Sequence, residues 1–292
     1  MTILVTGAKG QVGRELINKG MLSGWKMVGI DLQEVDITDA AAVSKYLGPM
    51  DLEIVVNAAA FTAVDAAETE VEAAFAVNRD GAANLADICA EKKIPLIHIS
   101  TDYVYDGMKK GAYLESDMVS PQGVYARSKA QGDAAVVDRL KAHIILRTAW
   151  VYSVHGHNFV KTMLRLFREK ESVSVVEDQY GSPTNASDIA EAILHIIGHI
   201  QRNKETQWGV YHYTGQGKTN WYGFAKKVYE LATPLDTFSL RELKPIPSSA
   251  YPTPARRPAN SVLDCTKIQE MFGITSAPWE ESLRGMLSSL YE

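Results

Sequence analysis

The sequence predicts an α/β protein built as a doubly wound parallel sheet with a smaller, irregular α/β lobe. Two observations carry the sheet. Apolar runs at 3–5, 26–30, 53–57, 95–99 and 144–148 show little polar alternation, as strands buried on both faces do. Helix-like stretches separate them, which is the alternation of parallel strands joined by crossover helices. A third observation predicts the lobe: past residue 152 the alternation falters, and from Pro234 prolines are frequent until an amphipathic helix at 279–290.

The composition sets bounds. A chain of 292 residues suits one large domain or two modest ones. A hydrophobic fraction of 46%, a charged fraction of 22% and a net charge of −5 are ordinary for a soluble globular chain. That charge argues against a surface that tracks nucleic-acid phosphates. No apolar run reaches the ~20 residues of a membrane helix. The N-terminus opens on a strand-like run without a basic leader, so no signal peptide and a cytoplasmic location are expected. Cys89 and Cys265 are too few for a disulfide framework and lack metal-ligand spacing.

The first strand runs straight into Gly7-Ala8-Lys9-Gly10-Gln11-Val12-Gly13, followed by a helical pattern. Strand, glycine turn and helix open a βαβ unit whose helix N-terminus can hold a pyrophosphate, the start of a Rossmann-type dinucleotide site. The spacing is G-x-x-G-x-x-G rather than G-x-G-x-x-G, and a glycine-rich turn without a ligand is the plain alternative. Gly7, Gly10, Gln11, Val12 and Gly13 are therefore candidate cofactor residues. Asp31, ending the second strand, is placed to accept hydrogen bonds from the adenosine ribose and to repel a 2′-phosphate. Lys9 would instead attract that phosphate, so the motif leaves NADPH and NADH both open. Asp36 falls at the expected edge of the adenine pocket. Ala59, Ala60 and Thr62 follow the third strand, where small residues let a flat cofactor approach the backbone.

The strand at 95–99 delivers Ser100-Thr101-Asp102-Tyr103 to the same edge. Beyond it, Tyr125 and Lys129 stand at i and i+4 of an expected helix, one above the other. A phenol beside a fixed ammonium makes a proton donor suited to neutral pH, because a nearby positive charge lowers the phenol's pKa. A hydroxyl from Thr101 would complete a proton-transfer group. Alone, Tyr-x-x-x-Lys is a common coincidence on helix surfaces; the glycine turn and strand-end hydroxyl give it weight. The expected division is a dinucleotide-binding domain at 1–152, with 172–200 and 219–232 returning to it. A substrate lobe takes 153–171, 201–218 and 233–292.

Glycine loop, Thr101 and Tyr125-x-x-x-Lys129 occur in the order and spacing of the extended short-chain dehydrogenase/reductases. Asn57-Ala58-Ala59-Ala60-Phe61-Thr62-Ala63-Val64-Asp65, the run 100–107, Arg147-Thr148-Ala149-Trp150-Val151-Tyr152, the run 178–184 and the run 251–261 resemble the dTDP-4-dehydrorhamnose reductase family. These motifs span most of the chain. The resemblance implies reduction of the C4 ketone of dTDP-4-dehydro-L-rhamnose to dTDP-L-rhamnose by NADPH or NADH, acting on a nucleotide-sugar partner as a monomer or homodimer. Tyr125 would donate the proton, Lys129 would also hold the nicotinamide ribose, and Thr101 would orient the carbonyl. Most members of the superfamily have Ser at the Thr101 position; a Thr hydroxyl makes the same hydrogen bond. Glu15 matches one position of a metal site that bridges dimers in some members. Its further ligands cannot be assembled from sequence, and no metal is expected.

The resemblance places Val64, Thr101, Asp102, Tyr103 and Trp150 against the substrate, with a core aromatic as the alternative for Trp150. Arg256 and Arg257 suit bidentate phosphate contacts or, equally, a surface ion pair; Asn158 is a further candidate. Two other functions fit parts of the pattern. An extended-family epimerase or reductase for another nucleotide sugar would keep the glycine loop, Tyr125 and Lys129 but not Trp150 or the run 255–258. A non-catalytic NADP-binding subunit, of the kind related proteins supply to methionine adenosyltransferase, would not need the full Thr101/Tyr125/Lys129 set.

Overall fold

The computed structural model describes residues 1–202 and 206–292; residues 203–205, within the expected lobe segment 201–218, lie outside the described residues. In chain order come β1 (Thr2–Thr6), α1 (Gln11–Leu22), β2 (Lys26–Ile30), α2 (Ala40–Leu47), β3 (Ile54–Asn57), α3 (Val64–Ala67) and α4 (Val71–Phe75). A π-helical turn at Ala76–Asp80 leads into α5 (Gly81–Lys92), β4 (Leu96–Thr101), α6 (Val124–Arg139), β5 (His143–Thr148), β6 (Val151–Tyr152) and α7 (Phe159–Glu169). Then follow β7 (Ser172–Val176), β8 (Tyr180–Gly181), β9 (Thr184–Asn185), α8 (Ala186–Arg202), β10 (Gly209–His212) and β11 (Thr219–Asn220). The chain ends with α9 (Trp221–Ala232), β12 (Glu242–Ile246), α10 (Thr266–Phe272) and α11 (Trp279–Tyr291).

Six strands form one sheet in the order β10-β5-β4-β3-β1-β2, and every pairing in it is parallel. Alternate residues of each strand go to opposite faces. Ile3, Val5, Ile54, Val56, Ile144 and Leu146 join α1, α8 and α10 in one core. Leu4, Val55, Leu96 and Ile145 join α2, α5 and α6 in the other. Burial on both faces explains why these strands read as unbroken apolar runs. The strand order reverses between β1 and β3, and ligands of open parallel sheets bind in the crevice at such a point.

A third core gathers α7, α9, α11 and β7 around Phe167, Phe224 and Trp279. Here the structure departs from the expected division. The strand at 209–212, assigned to the lobe, pairs with β5 as the sheet's edge. The segments 172–176 and 219–232, expected to return to the sheet, pack instead in the third core, where β7 pairs with β12. Sequence order gives no view of such crossings, because β10 and β7 are both short and their partners lie far away in the chain. Asp39 caps α2, its carboxylate accepting from the Ala41 and Ala42 N–H groups. Asn185 Oδ1 accepts from the Ser187 N–H at the start of α8, and Asn220 caps α9 by accepting from the Gly223 N–H. In each case an Asn carboxamide at the boundary reaches the first-turn N–H groups.

Candidate functional site

The loop after β1 seats directly on the chain leaving β3. Gly7 has φ +63°, and a Cβ there would stand 2.6 Å from the Ala59 nitrogen. A Cβ on Gly13 would stand 2.2 Å from the Gly7 carbonyl oxygen. Only glycine permits both approaches. Gly13 thus lies beneath the loop, while Gly7, Gly10, Gln11 and Val12 line a cleft of about 720 Å³ along the carboxyl ends of the sheet. Helix α1 begins after Gly10 without a side-chain cap, which leaves backbone N–H donors at its first turn for an anion.

One end of the cleft is lined by Asp31 and Asp36, the middle by Ala59, Ala60 and Thr62, and the other end by Val64, Thr101, Asp102, Tyr103, Tyr125, Lys129 and Trp150. The Asp31 carboxylate accepts from the Lys9 backbone N–H at 3.0 Å and from the Leu32 N–H at 2.9 Å. The Lys9 ammonium donates to Gln33 Oε1 and lies 3.8 Å from Glu34. Asp36 accepts from Thr38 N and Oγ1.

Thr101 ends β4. Its Oγ1 donates to Asp102 Oδ1 at 3.0 Å and accepts from Tyr103 N at 3.2 Å. Tyr125 is the second residue of α6, whose start is fixed by an acceptor from outside the helix: Glu68 Oε1 takes the Val124 N–H at 2.8 Å. The Tyr125 ring meets the Tyr103 ring edge-on, with centroids 5.4 Å apart. Burial pushes the Tyr125 phenol above its ordinary pKa, and the hydrogen bond with Thr101 opposes that shift. One turn on, Lys129 is only 2% exposed. Its ammonium donates to the Ile99 carbonyl at 2.7 Å, and burial lowers its pKa to about 8 against the pull of Asp133. Burial raises Asp102 to about 6, with hydrogen bonds from Ser261 and Thr101 opposing.

Three buried polar atoms in the cleft wall have no hydrogen-bond partner: Ser100 Oγ, Asp102 Oδ2 and Thr148 Oγ1. Orphaned polar groups lining a cleft are what a polar ligand would satisfy. Together with the uncapped α1 and the alanine floor, they fit a dinucleotide beside a hydroxylated substrate.

Trp150 takes φ +50°, a rare conformation for a bulky residue. Its indole stacks on Trp221 with centroids 3.6 Å apart, and a Cβ on Gly181 would stand 2.5 Å from the same ring. The indole lines the cleft and also packs against the third core. Trp221 also lines the cleft and was not picked out by sequence; a Trp opening a helix beside a polar cap was its one signal.

Arg256 and Arg257 stand outside the cleft. Arg257 grips Asp65 with Nη1 at 3.0 Å and Nη2 at 2.7 Å, the ion pair weighed as its alternative. Arg256 is exposed. Asn158 caps α7 and donates to Gln11 Oε1 at 3.0 Å, linking that loop to the glycine turn. Glu15 lies 3.4 Å from His155 Nε2, and among the described residues no group of three His, Cys, Asp or Glu is placed to hold a metal. Among them, too, no helix is long and apolar enough to cross a membrane.

A glycine turn at the switch point of a parallel sheet, faced by Thr101 and the Tyr125-x-x-x-Lys129 helix, defines an oxidoreductase of the Rossmann-type short-chain dehydrogenase/reductase class. The family described as RmlD substrate binding domain matches residues 1–292. A dTDP-4-dehydrorhamnose reductase from Sinorhizobium fredii is 41% identical over 99% of this chain and 98% of its own. The one from Aggregatibacter actinomycetemcomitans is 39% identical over 97% of each. A crystal structure of a dTDP-4-dehydrorhamnose reductase from Clostridium acetobutylicum superposes with a TM-score of 0.93, at 34% identity and covering 100% of both chains. Another, from Bacillus anthracis in complex with NADP, gives 0.91 at 32% identity over 99% of each. The chain belongs to the dTDP-4-dehydrorhamnose reductase family.

Proposed function

We propose that this chain reduces the C4 ketone of dTDP-4-dehydro-L-rhamnose to dTDP-L-rhamnose, using NADPH or NADH. The observation that carries the reading is the convergence of Thr101, Tyr125 and Lys129 on one cleft with the glycine turn. The names of the relatives supply the substrate, and the NADP complex of the Bacillus anthracis enzyme supports the cofactor. The residues fit the nicotinamide dinucleotide: the α1 N-terminus and Gly7, Gly10, Gln11 and Val12 would hold its pyrophosphate, Asp31 and Asp36 its adenosine end, and Ala59, Ala60 and Thr62 its floor. When bound in reduced form it supplies hydride to the ketone carbon.

This chain's residues do the rest. Tyr125 donates its phenolic proton to the developing alkoxide. Lys129 favours the phenolate left behind and holds the nicotinamide ribose. Thr101 orients the carbonyl, and Val64, Asp102, Tyr103 and Trp150 shape the sugar-nucleotide end. The lobe around the third core would hold the thymidine nucleotide. The assay supplies dTDP-4-dehydro-L-rhamnose with NADPH or NADH and follows loss of reduced-nicotinamide absorbance. Oxidation with neither cofactor would turn the reading to another nucleotide sugar. Tyr125→Phe is expected to lower turnover ~10²–10⁴-fold, the usual worth of a positioned general acid. Near-wild-type turnover in folded Tyr125→Phe protein would sink the assignment.

A further inference from the structure

Behind Lys129, away from the cleft, lies a buried polar cluster to which the proposed reaction assigns no role. His98 is 1% exposed, Asp133 4% and Arg147 4%. Their arrangement can be worked out from one fixed donor. The Ala59 N–H donates to Asn57 Oδ1 at 3.1 Å, and Thr6 Oγ1 donates to the same oxygen at 2.7 Å. The Asn57 amide nitrogen therefore faces His98 Nδ1, 3.0 Å away. Nδ1 must accept, so the neutral ring carries its proton on Nε2. That N–H points into the gap between Lys129 Nζ, at 3.4 Å, and Asp133 Oδ1, at 3.7 Å. The other Asp133 oxygen accepts from Arg147 Nε at 3.2 Å, while Oδ1 has no hydrogen-bond partner. Arg147 Nη1 donates onward to the Tyr105 hydroxyl at 2.9 Å.

Asp133 is paired with one buried cation, Arg147, and its charge also acts on a second, Lys129, one helical turn away. An ammonium this deeply buried loses its hydration, which favours the neutral amine unless an opposite charge stands near. Asp133, one helical turn from Lys129, supplies that charge. The unsatisfied Oδ1 is the oxygen that lies 3.7 Å from the imidazole Nε2. We propose that Asp133 is the buried counter-charge that keeps Lys129 protonated, with His98 as the fixed spacer between them, so that both serve as positioning residues acting through Lys129. The inference rests on the proposed role of Lys129 beside Tyr125. Burial, then Lys129 and His143, hold His98 well below its ordinary pKa, which keeps the spacer uncharged.

The ionisable groups around Lys129 are Tyr125 and Asp133 on its own helix, His98 and Asp102 from β4 and the residue after it, and His143 and Arg147 from β5. Of these only Asp133 and Arg147 are varied in the test. The measurement is the pH profile of kcat/KM for reduction of dTDP-4-dehydro-L-rhamnose by NADPH, made on the full chain. The alkaline limb should report loss of the Lys129 proton. Asp133→Asn should move its midpoint down by about one pH unit, as removal of a nearby opposite charge does. Asp133→Glu should leave it near the wild-type position. Arg147→Gln removes the competing cation and should move it up. A merely structural role would lower activity without driving the limb in opposite directions.

Wild-type limbs in folded Asp133→Asn and Arg147→Gln, or shifts of the same sign, would overturn the inference. If Asp133→Asn does not fold, Arg147→Gln decides alone, because the same geometry requires its upward shift. Tyr125→Phe separates the two levels. Retained turnover there removes the reading beneath, whereas an inactive Tyr125→Phe with unmoved limbs removes only the role of Asp133.

Discussion

Asp102 holds its carboxyl in the cleft wall with one oxygen bonded to Thr101 and the other unpaired. Its folded-state pKa of about 6 lies above the ~3.9 of an unfolded Asp, so between those values the folded chain binds a proton that the unfolded chain has lost. Stability therefore falls as pH rises through that window. Above it the burden is ~3 kcal/mol, from ~2 pH units at ~1.4 kcal/mol each. Asp102→Asn is expected to unfold at higher urea concentration than wild type near pH 7.5 and at nearly the same concentration near pH 4. A difference independent of pH would refute this. At the residue scale the meeting of Tyr125 and Lys129 on the cleft wall was legible in the sequence, because both lie on one helix and helical spacing is local. Asn57, His98 and Asp133 were not. Asn57 and His98 meet through strand register on neighbouring strands, Asp133 reaches them through the packing of α6 on the sheet, and local patterns carry neither.

The elements that matter most are those whose ends carry the site. The glycine turn works only because α1, β1 and the chain after β3 approach within a few ångströms. In Gly13→Ala the new Cβ would meet the Gly7 carbonyl, so the loop must lift and α1 must swing from the cleft. Cofactor affinity, read by fluorescence titration of NADPH, is expected to fall roughly tenfold, ~1.4 kcal/mol. Unchanged affinity would mean the loop takes no part in binding. Helix α6 is started by Glu68 from another element, which places an acidic acceptor at its N-terminus. Glu68→Ala should cost ~1 kcal/mol in chemical denaturation, as loss of a capping acceptor does. The chain between α3 and α4 leaves the helical path at Glu68, which frees its carboxylate for this contact. Their break follows a tertiary contact that propensity does not register.

On the scale of the molecule, two cores share the sheet and a third binds the lobe to it. The central strands were legible because burial on both faces writes itself as apolar runs. The division of the second half was not, since β10 and β7 are both short strands and which neighbour each pairs with is decided by tertiary contacts. One link across the cleft is aromatic. Trp150 follows the last long strand of the first half, and Trp221 opens a helix of the third core. Trp221→Ala should raise KM for the sugar nucleotide more than it lowers kcat, since it removes a wall of the cleft and leaves Tyr125 in place.

The same pair of indoles has an optical consequence. Two chromophores stacked 3.6 Å apart and 7° from parallel couple their electronic transitions, and transition moments skewed about the stacking axis give a paired positive and negative band in far-ultraviolet circular dichroism. Trp221→Phe should abolish the paired band while leaving the helical spectrum intact. Because both rings line the cleft, any occupant that parts them would change that band. The protein therefore carries an unlabelled spectroscopic gauge of its own occupancy, readable without turnover.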